Sequence, residues 1–400
     1  MKRVLELPAY RRLLAAYALN ELAYYFGSVA LALLVYNRTG SALGAAAFFL
    51  CEQFVPALIA PLLVARVDQH SPQAVLPVLY AIDAVAFAVL AWTTSHFALA
   101  PVLALVLIDG VAALTARTIA RATTVAVSAP QGLLREANAV NNAAFSLAFM
   151  AGPAIAGAVV AAGGISEVLL INAGLFVVIA VTVLTATALP GAVGEREPSA
   201  GRLRAALRHA REQPAVRNLL SLQALALVFF TISIPVEVVL AEHSLHAGAG
   251  GYGALLATWG GGAIVGSVIY ARWRQLPPWS LIASASVALG IGFALMAAAP
   301  TLAVALVGAA LGGAGNGVEA VAARTALQEQ VEQSWMARIM SLNESIYTAL
   351  PGPGILIGGA LTAIWSPRAA LALGAAGALV VAIAASVRLR PQPLAPAVNR

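Results

Sequence analysis

Short polar breaks divide this chain into long, almost wholly apolar runs, and that pattern leaves little choice of fold. The runs lie near 13–36, 42–64, 74–94, 98–120, 138–162 and 167–189, and again near 216–240, 251–271, 279–299, 302–323, 340–364 and 368–388. Each is long enough for a helix to cross a hydrocarbon core, which takes about 20 residues. The strict alternation of a β-barrel strand is absent. With 61% hydrophobic residues, 10% charged residues and a mean hydropathy of +0.87, the chain is too apolar for a soluble domain, whose apolar share is about 45–50%. The expected class is an all-α membrane protein of twelve transmembrane helices. The first run starts only after Arg11 and Arg12 and exceeds a signal-peptide core, so it is expected to be retained.

The arginines set the expected orientation. Of 23 Lys and Arg residues, 21 fall on one side of such a layout, and only Arg38 and Arg368 fall on the other. The positive-inside rule then places both termini in the cytoplasm. The net charge of +6 is accounted for by those arginines facing an anionic inner leaflet, without nucleic acid. Trp92 and Trp365 at outer ends, with Trp273, Trp279 and Trp335 at inner ends, suit an interfacial aromatic belt. Cys51 is the single cysteine, so no intramolecular disulfide and no Cys-based metal cluster is expected.

The longest polar stretch divides the chain into an N-terminal six-helix bundle over 1–189, a linker over 190–215 and a C-terminal six-helix bundle over 216–400. Within the linker, Ala200 to Arg211 sets Leu203, Ala206 and Leu207 on one face among arginines, the pattern of an interfacial amphipathic helix. A faint repeat relates the halves. Asn138, Asn141 and Phe145 lead to Gly152-Pro153, while Ser341, Asn343 and Tyr347 lead to Gly352-Pro353, 200 residues later. Weak similarity between halves is a property of duplicated transporter folds.

Four segments carry a family resemblance: Thr39-Gly40-Ser41-Ala42, Leu133 through Ala139, Gly152-Pro153-Ala154-Ile155-Ala156-Gly157, and Gln328 to Leu342 through Arg338. Through them the chain resembles the major facilitator superfamily, and within it the bacterial macrolide-efflux proteins and enterobactin exporter. The resemblance implies two pseudo-symmetric six-helix bundles in the bacterial cytoplasmic membrane, alternating access, and drug:proton antiport. It departs from the family in two places. The loop after the second run, which in the family carries a conformational latch, has Ala65 where the usual aspartate stands. Gln69 and His70 replace its trailing basic residues, leaving Arg66 and Asp68 as the nearest charged candidates. The fifth run reads Gly-Pro-x-x-x-Gly where many antiporters have Gly-Pro-x-x-Gly-Gly.

Acids inside apolar runs are the candidates for coupling. Glu21, Glu52, Asp83 and Asp109 lie deepest. A charged side chain at mid-bilayer costs about 2.5–3.5 kcal/mol, so such residues mark ion or proton pathways. Glu21 leads, because Tyr17, Tyr24 and Ser28 share its helix face; the alternative is a neutral Glu bonded to a neighbouring helix. Asp109 and Glu52 follow, and pairing of Asp109 with Arg117, eight residues on, is a long reach. Asp83 sits on a run that the family keeps peripheral and reads as structural. Glu237, near the outer end of its run, is either a cation-attracting or a merely wet mouth residue. Glu319 and Glu344 stand near Arg324 and Arg338, as either gating ion pairs or plain interfacial bridges.

If the cavity lies where the resemblance places it, Tyr24, Asn141, Phe145, Phe149, Phe230, Asn316 and Tyr347 contact substrate. Their aromatic faces and neutral polar groups suit a bulky amphipathic molecule, and nearby carboxylates favour a cation. The glycines at 260–262, 266, 312, 313, 315 and 317 allow close helix approach. Pro153 and Pro353, beside Gly152 and Gly352, are placed to kink their helices.

Other chemistries lack their residues. Lys2 is the only lysine, which removes a Walker A loop, and the five histidines show no ligand spacing. No enzyme activity, metal or cofactor is expected. The leading function is proton-coupled efflux of hydrophobic drugs or natural products, cationic ones included, by a monomer in the lipid bilayer. Export of a siderophore or other endogenous metabolite, and a transport-inactive sensor or scaffold, are the alternatives.

Overall fold

The computed structural model describes residues 2–67, 70–186, 189–190 and 199–389, and all regular structure among them is helical. Among the described residues twelve helices are long and apolar enough to cross a membrane: spans 1 to 6 are Pro8–Thr39, Ala42–Val67, Pro72–Thr93, Leu99–Gln131, Leu134–Ala162 and Ile165–Leu184. Spans 7 to 12 are Pro214–Ser244, Gly248–Trp273, Pro278–Ala298, Leu302–Gln330, Arg338–Ile364 and Pro367–Arg388. The end at which span 1 begins and span 12 finishes is termed inner.

Local chemistry sets the boundaries. Proline opens spans 1, 3, 7, 9 and 12, where its missing N–H costs nothing. Span 1 ends on Gly40 at φ 59°, whose N–H donates to the Tyr36 carbonyl at 2.8 Å. Ser41 then caps span 2 by accepting from the Gly44 N–H at 3.2 Å. Spans 4 and 10 continue past the apolar runs that reveal them, to Gln131 and Gln330, because a helix need not stop where hydrophobicity does.

Three spans are broken, each just before a proline. In span 2 a π-turn, Leu50–Phe54, directs the Val55 N–H to the Leu50 carbonyl. Pro56 has no N–H for the Glu52 carbonyl, its i−4 partner, so that carbonyl is freed. In span 7 the helix stops at Thr231, four residues before Pro235. Span 11 is Met336–Ala349 followed by Pro351–Ile364, with Leu350 between. The kink expected at Pro353 is therefore at Leu350-Pro351, and Pro153 lies inside an unbroken helix.

The two halves meet through their outer portions. A Cβ on Gly253 of span 8 would strike the Pro153 carbonyl and stand 3.0 Å from the Gly157 Cα of span 5. On the opposite side, Gly359 of span 11 backs onto Ala46 of span 2, and Gly352 faces the Phe54 ring. Toward the inner end, the polar contacts that can be named stay within a half. Tyr10 Oη donates to the Ala137 carbonyl and Asn141 Oδ1, each at 3.0 Å, Asn218 donates to the Arg388 carbonyl at 3.3 Å, and Arg324 pairs with Glu344 at 2.8 Å.

The linker helix, Ser199–Glu212, buries Ala206 and Ala210 against spans 7 and 11, and His209 stacks on Trp335 at 4.1 Å. Of the face expected to enter lipid, Ala206 packs on protein, Leu207 is 40% exposed, and the side chain of Leu203 lies outside the described residues. A helix period passing through Ala206 and Ala210 turns Leu207 outward with Arg204, Arg208 and Arg211.

Candidate functional site

Within the membrane-length part of the molecule, span 5 leaves Asn138 and Asn142 exposed, and span 11 leaves Ser341, Glu344 and Ser345 exposed. Faces this polar do not suit lipid. With the outer portions of the halves in contact, they line a cleft that opens at the inner end.

The wall from the first half is built on span 1. Glu21 is fully buried, and Arg117 of span 4 reaches it with Nε 3.1 Å from Oε1. The N–H is not aligned as a hydrogen bond, so the contact is chiefly Coulombic. The guanidinium also lies over the Tyr24 ring, 4.9 Å from its centroid. Arg117 thus serves Glu21, ninety-six residues away in sequence, rather than Asp109 on its own helix.

Glu52 sits in the π-turn of span 2, where its Oε2 accepts from Gln53 Nε2 at 3.3 Å and Ser28 lies within hydrogen-bonding reach. Gly110 of span 4 fits against the freed Glu52 carbonyl, a Cβ there standing 2.8 Å from that oxygen. This close approach brings Asp109 beside Glu52, within electrostatic range. Asp83 of span 3 faces Asp109 within hydrogen-bonding reach. Glu52, Asp83 and Asp109 are 7%, 0% and 8% exposed, and among the described residues no arginine pairs with them.

An aromatic group lies next to the acids. Tyr25 packs on Tyr24, Phe145 and Phe149 at centroid distances of 5.1, 6.1 and 4.9 Å. Gly152 makes this packing fit, since a Cβ there would stand 2.8 Å from the Tyr25 Cβ. Across the cleft, Phe230 meets Trp259 at 5.8 Å, and Trp259 stacks on Phe293 at 5.4 Å. Tyr24, Phe145, Phe149, Phe230, Asn316 and Tyr347 are all half-buried, as lining residues are, and Tyr347 lies within hydrogen-bonding reach of Gln223. Asn141, also half-buried, accepts from Tyr10 through Oδ1 near the inner end of span 5, which ties span 1 to span 5.

The residues expected to gate divide into two groups. Gly152, Pro153 and Gly352 sit where helices of different spans approach closely, and Pro353 follows Gly352 in the same helix. Of the charged ones, Arg324, Glu344, Glu319 and Arg338 make contacts within one half. Arg324 and Glu344, 55% and 60% exposed, join spans 10 and 11 of one half. Glu319 accepts from Ser286 of span 9 at 3.3 Å, and Arg338 stacks on Trp335 at 5.1 Å. Arg66 is exposed at the inner end of span 2, and Asp68 lies outside the described residues.

Tyr25 and Trp259 are the site residues that sequence reasoning missed. The signal for Trp259 was the Gly312-Gly313 pair, since Cβ atoms there would run into its ring and its carbonyl. The two outer-side arginines act as loop ties: Arg38 donates to the Thr94 carbonyl, and Arg368 to those of Ala297 and Ala299 at 2.9 and 2.7 Å. Among the described residues no three His, Cys, Asp or Glu side chains are grouped to hold a metal.

Comparison with known proteins bears on this architecture. A family model described as Major Facilitator Superfamily matches residues 13–352. Among solved structures, the nucleoside transporter NupG matches with a TM-score of 0.76 at 14% identity, over 96% of this chain and all 100% of the other. The POT family transporter PepTSo gives 0.76 at 12% identity, over 96% and 98%. A bacterial homologue of the iron transporter ferroportin, in an inward-facing state, gives 0.73 at 13% identity, over 95% and 98%. Comparison with curated protein sequences finds no match.

Proposed function

The chain belongs to the major facilitator superfamily and is a multi-pass membrane transporter, and from that premise we propose that it exchanges protons for hydrophobic organic cations, drugs or natural products, by alternating access. The observation that carries this reading is a charge imbalance. Glu21, Glu52, Asp83 and Asp109 share the buried interior of spans 1 to 4 with one arginine, Arg117, which is committed to Glu21. Ionised carboxylates left unpaired in a low-dielectric interior are strongly disfavoured, so protons or a cationic cargo must neutralise the remaining three. Protons and a cationic cargo thus compete for the same carboxylates, which is what exchange requires.

The aromatic walls supply the second requirement. Tyr24, Tyr25, Phe145 and Phe149 on one side face Phe230 and Tyr347 on the other, offering π surfaces to a delocalised cation. Protonation of Glu21 would release Arg117, which then stands free to repel a cation and drive it out. An anionic cargo such as a siderophore is disfavoured, because the one arginine at this depth is already neutralised. The protein works as a monomer in the cytoplasmic membrane of a bacterium with its inner end in the cytoplasm, as in the macrolide-efflux branch that the sequence resembles.

The test is uptake of a fluorescent lipophilic cation into inside-out vesicles under an imposed proton gradient. Native protein should accumulate the cation, and Glu21→Gln, Glu52→Gln and Asp109→Asn, at equal expression, should each lose most of that accumulation. Cation uptake that ignores the gradient, or that all three substitutions leave untouched, would sink the reading.

A further inference from the structure

Of the three acids left without an arginine, Asp83 is the least accessible. It is 0% exposed, and neither of its carboxyl oxygens has a donor. Tyr80 and Phe87, one turn to either side of it, both stack on Phe176 of span 6, at 6.4 and 5.5 Å, closing that flank. On the other flank is Asp109. Spans 3 and 4 form a hairpin turning about His96, and Asp83 and Asp109 lie thirteen residues to either side of it, hence at one depth. The two side chains face each other within hydrogen-bonding reach.

Ionised carboxylates are acceptors only. A carboxyl group can bond another carboxyl group only if a proton lies between them. With Asp83 sealed and no cation among the described residues paired with either group, that proton has no substitute among them.

We propose that Asp83 and Asp109 form a proton-holding carboxyl pair that shares one proton and exchanges it with the cleft through Asp109. Asp109 is the outlet because it alone of the two keeps some exposure, 8%, and it lies next to Glu52, whose π-turn opens toward span 4. In the loaded pair one carboxyl O–H donates to the carboxylate oxygen of the other. Unloading moves that proton from Asp109 to Glu52 or to cleft water and leaves two facing carboxylates, a state that a cation arriving at Glu52 relieves. Tyr80 on span 3 and Glu52 on span 2 lie within electrostatic range of the pair, Tyr80 is in turn within range of Glu21 on span 1 and Arg117 on span 4, and the neutral Asn172 of span 6 packs at Gly27 beside Phe87. Arg117 is the only cation among them, and Glu21 holds it.

The proposal rests on the proton-exchange reading but is tested apart from it. Infrared spectra of the purified protein in lipid nanodiscs, in water and in deuterated water, report protonated carboxyl groups directly. At neutral pH the native protein should show such a band, and the difference spectra of Asp83→Asn and of Asp109→Asn should each contain its loss. A native spectrum without a protonated carboxyl band, or difference spectra without one, overturns the pair whether or not the variants transport. In vesicles, Asp83→Asn should lose gradient-driven accumulation of tetraphenylphosphonium while retaining exchange of labelled for unlabelled tetraphenylphosphonium without a gradient. If native protein accumulates nothing but the band follows the two aspartates, the pair stands and the cation-exchange reading falls. If Asp83→Asn accumulates as well as native, the pair falls and the exchange reading stands.

Discussion

Removing the carboxylate of Glu21 while leaving Arg117 in place should destabilise the first half more than removing both charges. The pair is 3.1 Å apart, Glu21 has no exposure, and the Arg117 side chain keeps 21%. At an effective dielectric constant of about 20, two unit charges at that distance attract by roughly 5 kcal/mol. Desolvation offsets much of this, and breaking a buried pair from one side costs about 3–5 kcal/mol. The partial exposure of Arg117, and its place over the Tyr24 ring, set the expectation for Glu21→Gln at the lower limit, about 3 kcal/mol. For a bundle of this size that is a drop of roughly 6–12 °C in melting temperature. Arg117→Gln alone should cost a similar amount, and the double substitution should recover most of the loss. The assay is thermal unfolding in detergent, read by loss of the monodisperse peak after heating, arranged as a double-mutant cycle. A Glu21→Gln protein that melts with the native one, or a coupling energy of zero, would refute the reasoning that Arg117 is held by Glu21.

Three further outcomes follow from the packing. Gly253→Val places a side chain against the Pro153 carbonyl and the Gly157 Cα, so the outer portions should separate; spin labels on the outer ends of spans 5 and 8 should move apart, and unchanged distances would contradict the close contact. Trp259→Ala empties the space among Phe230, Phe293 and Gly312 and should cost about 3–5 kcal/mol, read as a lower melting temperature. Arg324→Ala removes an ion pair that is 55% and 60% exposed and lies within one half; it should change stability by less than about 1 kcal/mol and leave accumulation intact, and lost transport would restore a gating role.

The spans were legible because a bilayer imposes one length on every crossing element, and the apolar runs showed it. The breaks were partly legible. Pro56, Pro235 and Pro351 each withhold an N–H from a carbonyl four residues back, but expectation fell on Pro353 because the Gly-Pro repeat drew attention there. The site was less legible, since its contacts are between helices. Nothing local couples Glu21 to Arg117 or sets Tyr25 against Gly152. Asp83 was read as structural from the peripheral position of its span, although the hairpin symmetry about His96 already placed it level with Asp109. The bond that Asn141 accepts from Tyr10, 131 residues earlier, was equally out of reach of the sequence. Leu207 turned outward because the linker helix packs on protein through Ala206 and Ala210.

The central claim is that a cation and protons compete for the same buried carboxyl groups. It is tested most directly by adding tetraphenylphosphonium to the purified protein in weakly buffered detergent solution and following pH and binding together. Binding should release protons in proportion to occupancy, and Asp109→Asn should diminish that release. Saturable binding with no proton released would contradict the account.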